Sequence, residues 1–419
     1  MTETVLANPP RIRAQVCLVS GQPMANLLPL FLLGADDVYL IVTPQMRDAA
    51  GSLEGTIRSR MPGCRIHLME LPNAYDFDAV VDAVYGILDT DEQSCAGAAA
   101  NLHSESGEIV LNATGGTKLM MLAAVRVFAE FEKKILYLSE ETGDVLLLTP
   151  DSARALAAGS GRTSTRIKLR LKDYFMAHGF AWSVQSPTTF KASEAFYTEL
   201  IARQQQHAQG VAALNALAQK ALQNSRGQSG VRALRAEMES SGSGVRYVLG
   251  LFQDEGVLAI KGSEVFFPDE ARRFFANGGW LEDYAYDVVE SMEGARMVEK
   301  NIRISSDGGD PIRKADYELD VSFLHGNKIV VVECKTCDMT STKETTPILN
   351  KLSVIREKLG NTAVAVLVSY QRVNAAAKER AQKNGIYVID GNSVCQLKAR
   401  LRDILDGGTS QKPGRRKSS

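Results

Sequence analysis

The chain has 419 residues, 48 Lys plus Arg against 49 Asp plus Glu, and 45% hydrophobic side chains; at roughly 150 residues per domain it predicts about three well-cored domains and excludes a single small binding module. The net charge of -1 hides an asymmetry: residues 1–150 carry 10 basic and 19 acidic side chains, a balance of -9, and the rest carry 38 and 30, a balance of +8 that suits a polyanionic partner. No stretch approaches the roughly 18 to 20 apolar residues that cross a bilayer, and residues 1–13 lack the basic start and apolar run of a signal peptide, so no membrane partner and a cytoplasmic address are expected.

In chain order, the front third alternates AQVCLVS, NLLPLFLL, DVYLIVTP, EIVLNAT, KLMMLAAVRVFAEF and KILYLS. Strand and helix in alternation predict a parallel sheet with helices on its faces, and ligands sit beyond the carboxyl ends of such strands. The loops there are Ser20-Gly21-Gln22-Pro23, Thr43-Pro44 and Thr114-Gly115-Gly116-Thr117-Lys118. The last of these opens a helix, presenting free N–H groups, Thr hydroxyls and the Lys118 ammonium to a phosphate-bearing ligand. It lacks the Gly-x4-Gly-Lys-Ser/Thr pattern of an ATP-hydrolysing loop.

Past a Gly/Ser-bearing passage near 151–166, Ala-rich segments around 194–223 and 229–240 read as helical. RYVLGLFQDEGVLAI, a KGS turn and EVFFPDEARRFFANGG then read as helix, short hairpin and short helix, the succession of a winged-helix module. The final part predicts a second, mixed α/β domain. It runs from helix WLEDYAYDVVESM through strand RMVEKNIRIS, hairpin YELDVSFLHGNKIVVVECK and helix ILNKLSVIREKL to strand AVAVLVS, helix NAAAKERAQKN and strand IYVID.

The hairpin carries the chemistry. If Gly326-Asn327 is a two-residue loop, residues whose numbers sum to 653 face one another, which pairs Asp320 with Glu333 about 5 Å apart. Strand alternation puts Lys335 on the same face. Two carboxylates this close require protonation or a cation, and hard oxygen ligands favour Mg²⁺ or Mn²⁺. Such a set suits phosphodiester hydrolysis, with Lys335 orienting a water or neutralising developing charge and Glu282 adding a carboxylate from the preceding helix. Asp316 and Glu318 are second-choice ligands. The bland alternative is a solvent-facing charged hairpin edge, against which stand Val330, Val331 and Val332, a run that reads as buried on both faces. The cysteines at 17, 64, 95, 334, 337 and 395 read as reduced thiols, and Cys334-x2-Cys337 lacks the second half of a zinc site. The five histidines form no cluster in the sequence.

Glu282, Asp320 and Glu333-Cys334-Lys335, in helix, strand, strand order, resemble the PD-(D/E)xK nuclease superfamily over roughly residues 280–395. The resemblance implies a restriction-endonuclease-like domain cleaving nucleic acid, with Asp320, Glu333 and Glu282 at a Mn²⁺ or Mg²⁺ ion and Lys335 positioning the nucleophile. Ser20-Gly21-Gln22-Pro23 with Asn26, and Asn112-Ala113 leading into Thr114 to Lys118, resemble the CARF domain, the CRISPR-associated Rossmann-like fold. That resemblance implies a homodimer holding a cyclic oligoadenylate across its two-fold axis. The implied contacts are Ser20, Gly21, Gln22, Asn26, Thr43, Asn112, Thr114, Gly115, Gly116, Thr117 and Lys118.

The order of parts resembles the Card/Can-type (DUF1887-like) nucleases of type III CRISPR systems over nearly the full chain. It implies an α/β protein with a Rossmann-like CARF domain at 1–160, a winged-helix-like module at 161–278 and a PD-(D/E)xK domain at 279–406, while residues 407–419, with four cations and no apolar residue, read from composition as a basic disordered tail. It also implies cyclic tetra-adenylate as activator and cutting of DNA, RNA or both in antiviral defence. The competing reading is a ligand-responsive, DNA-binding regulator whose last domain has lost catalysis; intact Asp320, Glu333 and Lys335 argue against it.

Overall fold

Apolar strands flanked by amphipathic helices wind the front of the chain into one sheet. The computed structural model describes residues 12–98, 108–139, 145–148, 162–163, 169–184, 190–225, 234–237, 242–306, 311–312 and 314–407. It separates into two compact units, the first running to Trp182 and taking in Ser306 and residues 360–362, the second formed by the remainder. The tail expected at 407–419, except Gly407, and most of the passage at 151–166 lie outside the described residues. Among the described residues no helix is long and apolar enough to cross a membrane.

In the first unit the elements are β1 (Ile12–Leu18), α1 (Met24–Leu33), β2 (Asp37–Val42), α2 (Arg47–Arg60), β3 (Arg65–Glu70), α3 (Phe77–Ala98), β4 (Glu108–Asn112), α4 (Lys118–Glu130), β5 (Lys134–Leu138), β6 (Val145–Leu148), β7 (Arg162–Thr163) and α5 (Leu171–Ala177). The sheet order is β3-β2-β1-β4-β5-β6-β7. The first five strands are parallel, whereas β6 pairs antiparallel with β5 and β7 antiparallel with β6. The expected parallel sheet is thus mixed at one edge, because residues 139–144 are too few for a parallel crossover of a dozen or so residues. Strand order reverses between β1 and β4, which pair with Cys17 opposite Asn112. A crevice opens beyond the strand ends at such a reversal. Beneath it Val16, Leu18, Leu111, Ala123, Ala124 and Phe128 pack as one buried cluster.

The second unit starts with β8 (Ala181–Val184), whose chain leaves the first. Then come α6 (Glu194–Ala202), α7 (Gln204–Ser225), β9 (Leu234–Glu237), α8 (Ser243–Asp254), β10 (Ala259–Lys261), β11 (Glu264–Phe267) and α9 (Glu270–Phe274). The expected helix at 229–240 is corrected within its described part: Leu234–Glu237 is a strand paired antiparallel with β11. Ala236 is buried while Arg235 and Glu237 are exposed, the alternation of a sheet rather than the stripe of a helix. The three strands and α8 have the helix-and-hairpin make-up of a winged helix.

A π-type turn at Phe275–Gly279, kinked at Gly278 with φ +117°, leads into α10 (Trp280–Glu290). Then follow β12 (Ala295–Ser305), β13 (Tyr317–His325), β14 (Lys328–Lys335), α11 (Thr342–Lys358), β15 (Val364–Ser369), α12 (Ala375–Lys383), β16 (Ile386–Asp390) and α13 (Leu397–Leu405). The sheet order is β16-β15-β14-β13-β12-β8, antiparallel across β12-β13-β14 and parallel across β14-β15-β16. One apolar cluster joins Phe196, Phe252 and Phe275 to Trp280, Leu281 and Ala285 of α10 and to Val321, Phe323, Val330 and Val332 of the hairpin. Burying large side chains is the dominant favourable term in folding, worth about 1.5–3 kcal/mol each. Here it seats α10, and so Glu282, on the strands that bear the other acids.

Candidate nuclease centre and ligand loops

The hairpin closes as the two-residue loop requires. Gly326 takes φ +59°, and Val321 faces Val332, Phe323 faces Val330 and His325 faces Lys328, every pair summing to 653. Backbone pairing stops at Val321–Val332, and one step beyond it the Asp320 carboxylate accepts the Cys334 N–H at 2.7 Å. A side chain has taken the place of a backbone acceptor, which pins Asp320 beside the Glu333-Cys334-Lys335 segment. The Lys335 Nζ lies 2.7 Å from Glu333 Oε1 and 3.5 Å from Asp320 Oδ2, and it donates to the Cys334 carbonyl at 2.9 Å.

Burial and the charge of Asp320 push the Glu282 carboxyl well above its ordinary value, with Lys335 opposing. The four residues named from the sequence therefore interact at one place. Burial and the Glu333 charge raise Asp320, against the pull of Lys335, Lys351 and the Cys334 N–H. Burial also works to raise Glu333, but the charges and hydrogen bonds of Lys335 and Lys351 prevail and hold it below the carboxylate norm. Burial works to lower Lys335, and Asp320 and Glu333 outweigh it and hold its ammonium protonated.

Two carboxylates raised by burial and a neighbouring negative charge, beside a third held ionised by lysines, form a hard-oxygen donor set whose repulsion a divalent cation would relieve. In kind the residues suit such an ion. Among the described residues no three His, Cys, Asp or Glu side chains already stand in metal-holding geometry, and both Glu333 oxygens are hydrogen-bonded to ammonium groups.

The raised acids also bear on stability. With its folded pKa above the ordinary 4.5, Glu282 stabilises the fold in its protonated form. That contribution is complete at low pH and is lost as pH rises through the elevated value. In metal-free protein Glu282→Gln is expected to melt about 3 °C higher than the parent at pH 8, with the gap closing toward pH 4.5. Thermal melts in chelator across that range check it; a variant that melts lower at pH 8 contradicts the arrangement.

Lys351 was not visible in the sequence pattern. From α11 its Nζ donates to both Glu333 oxygens, at 2.9 and 2.7 Å. The only local signal is a cation between the buried Leu349 and Leu352. The second-choice ligands do not join the centre: Glu318 is exposed and pairs with Arg303 at 3.2 Å across β12, and Asp316 is exposed before β13.

In the first unit the loops after β1 and β4 lie side by side at the strand-order reversal. Asn26 and Asn112 are buried beneath them, their amides donating to the Leu18 carbonyl and the Ala25 carbonyl, both at 3.0 Å. Asn112 therefore ties the end of β4 to α1, while Asn26 closes the loop after β1 on itself. Asn112 Oδ1 also accepts the Thr114 N–H at 3.1 Å, Thr114 Oγ1 accepts the Leu138 N–H at 2.8 Å, and Thr117 caps α4 by accepting the Met120 N–H at 3.2 Å. Gly116 takes φ +74°, and a Cβ on Gly115 would stand 2.2 Å from the Leu18 carbonyl oxygen. Ser20 Oγ accepts the Gln22 N–H at 3.3 Å, and Gly21 is exposed. Thr43 is buried at the end of β2. Lys118 is exposed at the first turn of α4. A helix N-terminus and an exposed lysine thus stand at the strand-order reversal, a setting that suits an anion.

Residues 14–174 match the family model described as the Card1 CARF domain, and residues 269–406 match the model described as the Card1-like endonuclease domain. No curated protein matches the chain. Among solved structures, protein VC1899 from Vibrio cholerae is similar at a TM-score of 0.78 and 20% identity, over 94% of this chain and 98% of that one. Can2 from Sulfobacillus thermosulfidooxidans, solved in complex with cyclic tetra-adenylate, is similar at 0.72 and 22%, over 94% and 99%. A type III CRISPR defence DNA nuclease activated by cyclic oligoadenylate reaches 0.50 and 15%, over 99% of this chain and 55% of that one. At these identities the likeness speaks to fold. Together with the strand-order crevice and the convergent acids, the two matches identify the chain: its front is a CARF domain of the Card1 kind and its end a Card1-like endonuclease domain.

Proposed function

We propose that this protein is a cyclic-oligoadenylate-gated, divalent-metal-dependent nuclease of type III CRISPR antiviral defence, working as a homodimer and activated by cyclic tetra-adenylate. The observation that carries the reading is the convergence of Glu282, Asp320, Glu333 and Lys335 on one strand end. The CARF domain match, and the cyclic tetra-adenylate seen in the similarly folded Can2, support the activator.

A Mg²⁺ or Mn²⁺ ion held by Asp320, Glu333 and Glu282 would supply Lewis acidity toward the phosphodiester. The chain's own groups do the rest. Glu333, held ionised, offers a charged oxygen at neutral pH. Asp320, fixed by the Cys334 N–H, is oriented before substrate arrives, and the Lys335 ammonium stands where it can position a water and offset charge on the phosphorane. For gating, the cyclic ligand must bind one arrangement of the dimer more tightly than another, since equal binding shifts nothing.

The test is to incubate the purified protein with labelled single- and double-stranded DNA and RNA, with Mn²⁺, Mg²⁺ or chelator, with and without cyclic tetra-adenylate. Cleavage requiring both metal and activator is expected. Metal-independent binding of duplex DNA with no strand breaks under any condition would establish the regulator reading instead.

A further inference from the structure

Both oxygens of Glu333 are occupied: Oε1 accepts from Lys335 and Lys351, and Oε2 from Lys351. Three of the roughly four lone-pair positions of this carboxylate are thus filled by ammonium groups, with which an ion must compete. The two lysines differ in their other ties. Lys335 is also bound to Asp320 and the Cys334 carbonyl, whereas Glu333 is the partner the structure shows for Lys351 among the described residues. The Lys351 side chain is 28% exposed against 2% for Glu333, so its ammonium has a way into water.

Charge points the same way. With all three carboxylates ionised, as a bound divalent ion would favour, they and the two lysines sum to -1, and the ion takes the cluster to +1, which a phosphodiester balances. One lysine would suffice to neutralise Glu333, so the second is in excess until an ion and a phosphate are both present. We propose that Lys351 is a positioning residue of the cleavage centre: it holds Glu333 in place of the divalent ion, yields it on loading, and stays as positive charge for the substrate phosphate.

This rests on the nuclease reading, and its test does not use cleavage. Mn²⁺ binding to the full chain is titrated by electron paramagnetic resonance without nucleic acid, and binding of a labelled oligonucleotide is measured in Ca²⁺. Lys351→Met is expected to bind Mn²⁺ ~10-fold more tightly, because a competing charge is gone, and to bind oligonucleotide severalfold more weakly. Lys351→Arg, whose fork grips a carboxylate at two points, is expected to weaken Mn²⁺ binding and serves where the Met variant folds poorly. Glu333→Gln calibrates the measurement by losing the site. A merely structural lysine would lower both affinities of the Met variant together. That result, or Mn²⁺ affinities of both variants within about twofold of the parent, overturns the proposal alone; no Glu333-dependent Mn²⁺ binding in the parent overturns it together with the nuclease reading.

Discussion

Glu333→Ala is expected to abolish activator-stimulated cleavage, a loss on the order of a thousandfold or more, while binding of cyclic tetra-adenylate is unchanged. Of the three acids at the centre, Glu282 is pushed toward its protonated form by burial and the Asp320 charge, and Asp320 by burial and the Glu333 charge. Glu333 alone is held below the ordinary range, so its charge is the best secured of the three. Removing it also strands two ammonium groups. Both lysine side chains keep about a quarter of their surface in water, so the stability cost is about 1–2 kcal/mol rather than the larger penalty of a sealed pair. Glu333→Gln keeps the volume without the charge and should be equally inactive. Lys335→Ala should lose activity similarly, since Asp320 then keeps the Cys334 N–H and the more distant Lys351 charge but no ammonium beside it. Substrate gels beside fluorescence polarisation with labelled ligand check all three; cleavage retained by Glu333→Ala rejects the assignment of this centre.

The sequence exposed the centre unevenly, for physical reasons. Asp320 and Glu333 were legible because a two-residue loop fixes register and strand alternation fixes the face, so arithmetic on residue numbers replaces tertiary knowledge. Lys335 follows from the same alternation. Glu282 needed only the order of helix and strands and a buried stripe through Leu281, Ala285 and Val289. Lys351 was hidden because its contact depends on how α11 docks on the sheet, which periodicity does not encode. Leu234–Glu237 was misread for a related reason: its strand partner β11 lies some thirty residues away, and Ala, Arg and Glu favour helix when read alone. In the front unit the strand-end loops could be marked, but not the reversal that sets two of them side by side. The tie from Asn112 to Ala25 depends on that adjacency.

The activator end makes an equally large prediction. Gly115→Ala is expected to weaken binding of cyclic tetra-adenylate by tenfold or more, at least ~1.4 kcal/mol. The added Cβ would meet the Leu18 carbonyl oxygen at 2.2 Å and the Asn26 amide at 3.2–3.3 Å. Leu18 ends β1, a central strand paired on both sides, so it has little room to retreat, and the loop must lift instead. Lifting it strains the Thr114 N–H bond to Asn112 and the Thr117 cap of α4, the features that aim N–H groups at the crevice. Gly21→Ala is the control, because a Cβ there meets nothing within 4 Å, and it should leave thermal stability as it is. Mn²⁺ binding in the second unit should survive Gly115→Ala, so a protein that still loads metal but no longer answers the cyclic ligand separates sensing from cutting. Full ligand affinity in Gly115→Ala would move the activator site away from this loop, since no anion could use those N–H groups unchanged after such a displacement.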